Sequence, residues 1–188
     1  MSRLDSHIRR LQAQRASIHR AATLIADLPG PILELGLGNG RTFDHLREHF
    51  PHREIFVFDF ALECHPASRP EPRNFIQGDF RATLPTALAR IGSAAALAHC
   101  DFGSHDVEKS RALAATVAPL LDRLLAPGAV VLSDLPMTAP DWRALPLPRG
   151  VKRERYFINQ VGLRQATEPN RLDRGPPTKL TRALGSSA

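Results

Sequence analysis

Cysteine is scarce in this 188-residue chain, which carries only Cys64 and Cys100, at no metal-ligand spacing. Two such thiols cannot staple a small scaffold, and they suit a reducing, cytoplasmic setting in which both stay free. Long apolar runs are missing as well. None approaches the roughly 18 residues that a membrane span needs, so no membrane partner is expected. The first 30 residues are rich in Arg but contain no apolar stretch of the kind a secretory signal requires. No internal repeat breaks the chain into units. What is present is ordinary for one globular domain: 43% hydrophobic and 23% charged residues, in a length that can bury a sizeable core.

The net charge of +6 is concentrated at the two ends. Residues 1–30 hold five Arg against two Asp, and residues 141–188 hold ten basic groups against four acidic ones, while residues 31–140 are net acidic. A basic end can meet nucleic acid or an anionic acceptor, but it is also what a solvated face looks like, and charge alone does not decide.

Hydrophobic periodicity divides the chain. Leu4, Ile8, Leu11, Ile18 and Ile25 recur at helical spacing within residues 3–27, which predicts an N-terminal helix (1–28 with its flanks) closed by Pro29-Gly30-Pro31. Ile32 to Leu35 is a buried strand, and a helix runs from about Arg41 to Phe50. Glu54 to Asp59 is a second strand, residues 61–73 an irregular crossover with three prolines, and Asn74 to Gln77 a third strand. Ala82 to Arg90 reads as a helix with Pro85 in its first turn, Ala94 to Phe102 as a fourth strand, Val107 to Leu125 as a long helix and Ala129 to Asp134 as a fifth strand. A loop with four prolines surrounds Trp142, and Lys152 to Gln160 alternates like a strand, with a turn into another at Gly162. Residues 167–188 have little to bury and are expected to be a disordered tail. Strands alternating with helices predict an α/β fold: a doubly wound, mostly parallel sheet of the seven-strand type with helices on both faces, preceded by the N-terminal helix. Ligands of such sheets bind beyond the carboxyl ends of the strands.

The chemistry concentrates on Glu34-Leu35-Gly36-Leu37-Gly38-Asn39-Gly40-Arg41. A buried strand, a glycine turn and a helix start offer close backbone approach and unpaired N–H groups to an anionic or polar ligand. A dinucleotide fingerprint needs G-x-G-x-x-G and an acid about 20 residues on. Here the glycines alternate, Arg41 stands where the third dinucleotide glycine belongs, and Asp59 ends the second strand. The ribose-binding acid is present and the pyrophosphate spacing is not, which favours a nucleoside without a bridging pyrophosphate.

Glu34 to Gly40 resembles the E-x-G-x-G-x-G motif of class I S-adenosylmethionine-dependent methyltransferases, and Asp59, Gly78-Asp79-Phe80 and the strand end at Asp101 match that family's later motifs in order and spacing. The resemblance covers residues 31–134, which would be the cofactor-binding core of a single domain spanning 1–166. More narrowly, the short chain and Asp101-Phe102-Gly103-Ser104-His105-Asp106 resemble a small bacterial group of these enzymes. The resemblance implies S-adenosyl-L-methionine as cofactor and gives the site residues their roles. Gly36, Gly38 and Gly40 would pass beneath the methionyl part and the ribose. Glu34 would organise the loop or reach the methionyl amino group, Asp59 would accept the ribose hydroxyls, and Phe60 would lie against the adenine. Asp79 would accept from the adenine amino group, the Phe80 N–H would read a ring nitrogen, and Asp101 or the backbone near His99 would face the methionyl ammonium. Each has a structural alternative: strand-end acids, an ordinary Gly-Asp turn, core phenylalanines.

The acceptor is less legible. His105, beside Asp101 and Asp106, is the candidate general base, or else a loop residue facing solvent. The same cluster could hold a divalent metal beside a catechol-like acceptor, but one His and two Asp in a loop are a weak metal signal, and no metal is assigned. The Asn/Asp-Pro-Pro-aromatic motif of amino-group methyltransferases is absent after the fourth strand, and so is a Pro-Cys nucleophile for cytosine-C5 transfer. His65, Arg69, Trp142 and Arg143 in the loops hint at an anionic or aromatic acceptor, and an oligomer would help to close the pocket. The expectation is methyl transfer to a small molecule. A nucleic-acid methyltransferase and a non-catalytic nucleotide-binding module remain the alternatives.

Overall fold

The computed structural model describes residues 2–152 and 154–162. The expected tail at 167–188 and the strand beyond Gly162 lie outside them. Helix α1 (Arg3–Leu24) starts at a capping box in which the Ser2 hydroxyl accepts from the Asp5 N–H and the Asp5 carboxylate accepts from the Ser2 N–H. Then follow β1 (Ile32–Leu35), α2 (Arg41–His49), β2 (Ile55–Asp59), two one-turn 3-10 segments, β3 (Phe75–Gln77), α3 (Phe80–Thr83), a third 3-10 turn, α4 (Leu88–Ile91), β4 (Ala95–Cys100), α5 (Val107–Asp122), β5 (Leu125–Ser133), β6 (Trp142–Ala144) and β7 (Phe157–Val161).

The seven strands form one sheet in the order β3-β2-β1-β4-β5-β7-β6. Strands β1 to β5 pair in parallel, and β7 returns antiparallel to β5 with β6 as its edge neighbour. Strand order reverses between β1 and β4, so the crevice of a doubly wound sheet opens beyond Leu35 and Cys100. One face buries Leu33, Leu35, Phe56 and Phe58 against α5 and the α3–α4 region. The other buries Ile32, Val57, Leu97 and Leu132 against α1 and α2. Cys64 and Cys100 are buried free thiols. Among the described residues no helix is long and apolar enough to cross a membrane.

Four local expectations change. The apolar stripe of α1 is buried only in its second half: Ile18 and Ile25 are inaccessible, but Leu4 is 68% and Ile8 43% exposed. The face that packs down near the middle of the helix is made of Ala13, Gln14, Ser17 and Ala21, whose small or flexible side chains let α1 lie close across the strand ends. The helix expected from Ala82 to Arg90 is three short pieces, because Pro85 has no N–H to donate and sits in the 3-10 turn that separates α3 from α4. Strand β5 begins at Leu125, before Pro127-Gly128. The register with β4 shifts between Ala95 and Leu97, and Gly128 takes up φ +85 in that irregular stretch. Finally, the proline-rich loop contains β6, whose three residues are too few to show a period; the Trp142 Nε1–H donates to Asp122 Oδ1 at 2.7 Å.

Candidate active site

The glycine turn after β1 is built as the sequence demands. Gly36 has φ +92, and a Cβ there would lie 2.4 Å from the Asp101 carbonyl oxygen; Gly40 has φ +82, and its Cβ would lie 2.4 Å from Ser68 Cβ. Both positions need glycine for conformation and for space. Gly38 differs: a Cβ there would meet nothing within 4 Å, because it borders open space.

Asp59 at the end of β2 reaches back to this turn. Its Oδ2 accepts from the Leu37 N–H at 2.7 Å and the Gly38 N–H at 3.2 Å, and its Oδ1 accepts a longer bond of 3.4 Å from the Ala61 N–H. The carboxylate thus pins the loop while keeping acceptor capacity on Oδ1. Two N–H groups that sequence reasoning left free for a ligand are therefore engaged by Asp59. Phe60, just beyond, is 60% exposed, whereas Phe80 is buried and packs against Phe102 at a ring-centroid distance of 5.2 Å. Phe60, Asp79, Phe80 and Arg81 share the lining of one cavity of about 410 Å³. Asp79 caps α3 by accepting from the Arg81 N–H at 2.8 Å and also pairs with the Arg81 guanidinium; these hydrogen bonds hold its carboxyl down at about 2.

Glu34, on β1, has no exposed surface. Its Oε1 accepts from the Thr42 hydroxyl at 2.6 Å, and its Oε2 is 2.7 Å from His99 Nδ1. His99 Nε2 in turn meets the Tyr156 hydroxyl. Four side chains from β1, α2, β4 and the entry to β7 so form one buried polar chain, and a carboxylate with both oxygens engaged is a tolerable occupant of a sheet interior. Burial alone would lower the His99 pKa; the Glu34 carboxylate outweighs it and raises it. Burial, followed by the charges of Asp101 and Glu34, pushes the Tyr156 hydroxyl well up, so the phenol stays protonated.

Asp101, one residue past β4, is held from above by α1. Arg10 Nη2 donates to its Oδ1, and Gln14 Nε2 donates to its Oδ2 at 2.6 Å. These three residues line a cavity of about 210 Å³ together with Gly36, Gly38 and Thr42. Beside them, Asp134 follows β5. Its Oδ2 accepts from the Gly103 N–H at 3.1 Å and lies 3.7 Å from Arg10 Nη2, while its buried Oδ1 has no partner among the described residues. Burial and then the like charge of Asp101, opposed by Arg10, push its carboxyl up to about 6.

The structure thus brings Gly36, Gly38, Asp59 and Asp101 around the ends of β1, β2 and β4. Glu34 supports them from inside without lining the cavity. His105 stands apart: it is exposed in the loop before α5. Its two acidic neighbours are otherwise engaged, Asp101 by α1 and Asp106 as the cap of α5 through the Lys109 N–H. None of His65, Arg69, Trp142 or Arg143 lines the cavity over Asp101. Trp142 and Arg143 are on the edge strand β6, where Arg143 donates to Gln160. Among the described residues, the side chains close enough to converge on a metal, His45, Glu48 and His49, lie on α2 rather than in the loop before α5. Sequence reasoning missed Arg10, Gln14, Tyr156 and the side chain of His99, and saw Asp134 only as the acid that ends the fifth strand. The one available signal was the spacing of His7, Arg10 and Gln14 along a single helix face, which a solvated stripe shares.

A sheet in this strand order, with a glycine turn after its first strand and an acid ending its second, is the Rossmann-like methyltransferase architecture. The chain belongs to the S-adenosyl-L-methionine methyltransferase family, whose description matches residues 1–161. It is 44% identical to an S-adenosyl-L-methionine methyl transferase from Silicibacter pomeroyi DSS-3, over 86% of this chain and 99% of that one, with a TM-score of 0.82. More distant likenesses extend to the fold alone. CalS11, a TDP-rhamnose 3'-O-methyltransferase of calicheamicin biosynthesis, gives 21% identity over 78% of each chain and a TM-score of 0.54. TrmN from Thermus thermophilus gives 17% identity over 77% of this chain and 48% of that one, with a TM-score of 0.52. No curated protein matches. The expected fold class and the cofactor, S-adenosyl-L-methionine, therefore stand.

Proposed function

We propose that this methyltransferase acts on a small molecule and that Asp134 is its general base. The observation that carries the reading is the roof over the strand ends. Helix α1 lowers Arg10 and Gln14 onto Asp101 and leaves a covered cavity of about 210 Å³. The methionyl end of the cofactor takes this cavity, so the acceptor has to approach past α1, a passage that suits a small molecule better than a polymer.

The residues present fit the cofactor. Asp101 and Arg10 set a carboxylate and a guanidinium side by side at the cavity wall, which complements the ammonium and carboxylate of an amino-acid end. Gly38 leaves backbone space beside them, Asp59 keeps Oδ1 for ribose hydroxyls, and Phe60 offers an exposed ring to a purine. Asp79, to accept from the adenine amino group, would share its oxygens with Arg81. When bound, S-adenosylmethionine supplies an electrophilic methyl group on a sulfonium, and positioning the acceptor in line with it provides most of the acceleration. The chain's own contribution is orientation and one proton. Asp134, ionised above about 6, stands one layer behind the cavity lining, with Arg10 touching both its carboxylate and that of Asp101. It takes the acceptor's proton on Oδ1, the buried oxygen without a partner among the described residues, once Arg10 moves aside, while Gly103 steadies Oδ2. His105, exposed on its loop, serves as the comparison.

With radiolabelled methyl donor, label should enter ultrafilterable compounds of a cell extract; label retained on RNA or DNA would overturn the acceptor class. Turnover should rise with pH through about 6, the value to which burial and Asp101 push Asp134. Asp134→Asn should lower kcat by roughly 10²–10⁴-fold and abolish that limb, and His105→Ala should do neither. A rising limb that persists in Asp134→Asn and disappears in His105→Ala would return the role to His105.

A further inference from the structure

The two basic ends of the chain, more than a hundred residues apart in sequence, meet in space. Arg9 and Arg15 of α1 and Arg149, Lys152 and Arg155 of the segment before β7 line a single groove of about 270 Å³. No carboxylate is among its lining residues, and among the described residues none of the five cations is ion-paired with an acid. Two acids are close in sequence, and neither lines the groove: Asp5 caps α1 and feels the charge of Arg9, whose Nε donates to its carbonyl oxygen at 3.3 Å, and Glu154 is exposed next to Arg155. The wall is braced: Arg155 Nη1 donates to the Ser6 hydroxyl at 3.1 Å, tying the segment before β7 to α1.

Five like charges converging on one concavity repel each other unless an anion sits among them. Four are guanidiniums, whose planar forks match phosphate oxygens in pairs. The groove is also distinct from the cofactor cavity. Of its α1 residues, Arg9, Gln12, Ala13 and Ala16 lie on one flank of the helix and Arg15 at the edge of that flank, while His7, Arg10, Leu11 and Gln14 of the cavity over Asp101 lie on the other. Its volume is below that of a drug-sized pocket and suits one or two phosphate groups.

We propose that this groove is a second ligand site, one that binds the phosphate groups of a small phosphorylated molecule. It is defined by its own charges and does not depend on the assignment of the methyl acceptor. The phosphates lie against Arg149 and Lys152 on one wall and Arg9 and Arg15 on the other, with α1 as the partition between ligand and cofactor.

Calorimetric titration of the full chain with inorganic pyrophosphate tests this directly, with S-adenosylhomocysteine titrated in parallel. The expected result is saturable binding of one pyrophosphate per chain that weakens as salt rises. Arg15→Ala combined with Arg149→Ala should weaken it by about tenfold or more and leave S-adenosylhomocysteine affinity unchanged. All three of Arg15, Arg149 and Lys152 are exposed, and Lys152→Ala, expected to weaken binding by a smaller factor, serves if the double variant does not fold. No heat with pyrophosphate, or equal affinity in wild type and variants, overturns the proposal. Binding of a single-stranded RNA oligomer without binding of pyrophosphate also overturns it, and assigns the groove to a nucleic-acid strand. None of these outcomes reports on the methyl acceptor, so failure here is separable from failure of the acceptor reading.

Discussion

Glu34→Ala should lower the midpoint of thermal unfolding by roughly 10 °C. The substitution strips the partner from two donors at once, the Thr42 hydroxyl and the His99 Nδ1–H, in a sheet interior where neither Glu34 nor His99 has any exposed surface. Removing one member of a buried charged pair costs about 3–5 kcal/mol, and in a domain of this size each kcal/mol corresponds to about 2–4 °C. The loss propagates, because His99 then has only the Tyr156 hydroxyl to fix its ring. Glu34→Gln, which keeps the shape and one acceptor oxygen, should lose less than half as much. Scanning both variants by calorimetry or circular dichroism, with S-adenosylhomocysteine affinity measured on each, separates the two roles that the sequence left open for Glu34. A large drop in stability with a modest change in affinity means that the carboxylate organises the loop from within. A hundredfold loss of affinity in a variant as stable as wild type would mean that it reaches the methionyl amino group, and would sink the structural role.

That ambiguity marks the boundary of what the residues reveal on their own. The β1 turn is legible because its conformation is dictated locally: Gly36 and Gly40 take positive φ angles that other residues rarely adopt. Asp59 is legible because a parallel strand reads as an apolar run, and an acid closing such a run stands at the crevice by topology. Arg10 and Gln14 are not legible in this way. The apolar stripe of residues 3–24 does not distinguish a helix face turned to water from one lowered onto Asp101; the small residues Ala13, Ser17 and Ala21 let α1 approach, but which strand ends they meet is set by the tertiary fold. Tyr156 is hidden for a similar reason. It completes the Glu34–His99 chain only because β7 returns antiparallel beside β5, a pairing that local pattern cannot supply. Asp134 was visible as a strand-end acid, but its carboxyl pKa depends on burial and on Asp101, both tertiary. His105 shows the converse. Its neighbours in sequence are acids, yet in the fold those acids turn to α1 and to the cap of α5.

Asp59→Ala should weaken S-adenosylhomocysteine binding by about 2–4 kcal/mol, or roughly 30- to 1000-fold, since hydrogen bonds to a charged group contribute about 1.5–3 kcal/mol each. Two effects combine in that figure. The carboxylate keeps acceptor capacity for ribose hydroxyls on Oδ1, and its Oδ2 holds the Leu37 and Gly38 N–H groups at 2.7 and 3.2 Å, so the same substitution unpins the turn that carries the methionyl end. Asp59→Asn divides them. The amide oxygen can still accept from Leu37 and Gly38, while the NH₂ group presents donors where Oδ1 was an acceptor. If pinning the loop dominates, Asp59→Asn should bind nearly as well as wild type and only Asp59→Ala should fail. If ribose recognition dominates, both should weaken together, and replacing S-adenosylhomocysteine with an analogue lacking the ribose 2'-hydroxyl should cost wild type more than either variant. The second pattern is expected, because Oδ1 makes only the 3.4 Å bond to Ala61 and is the oxygen left to serve a ligand. Unchanged affinity in a folded Asp59→Ala protein would remove Asp59 from the cofactor site and leave it as a loop anchor.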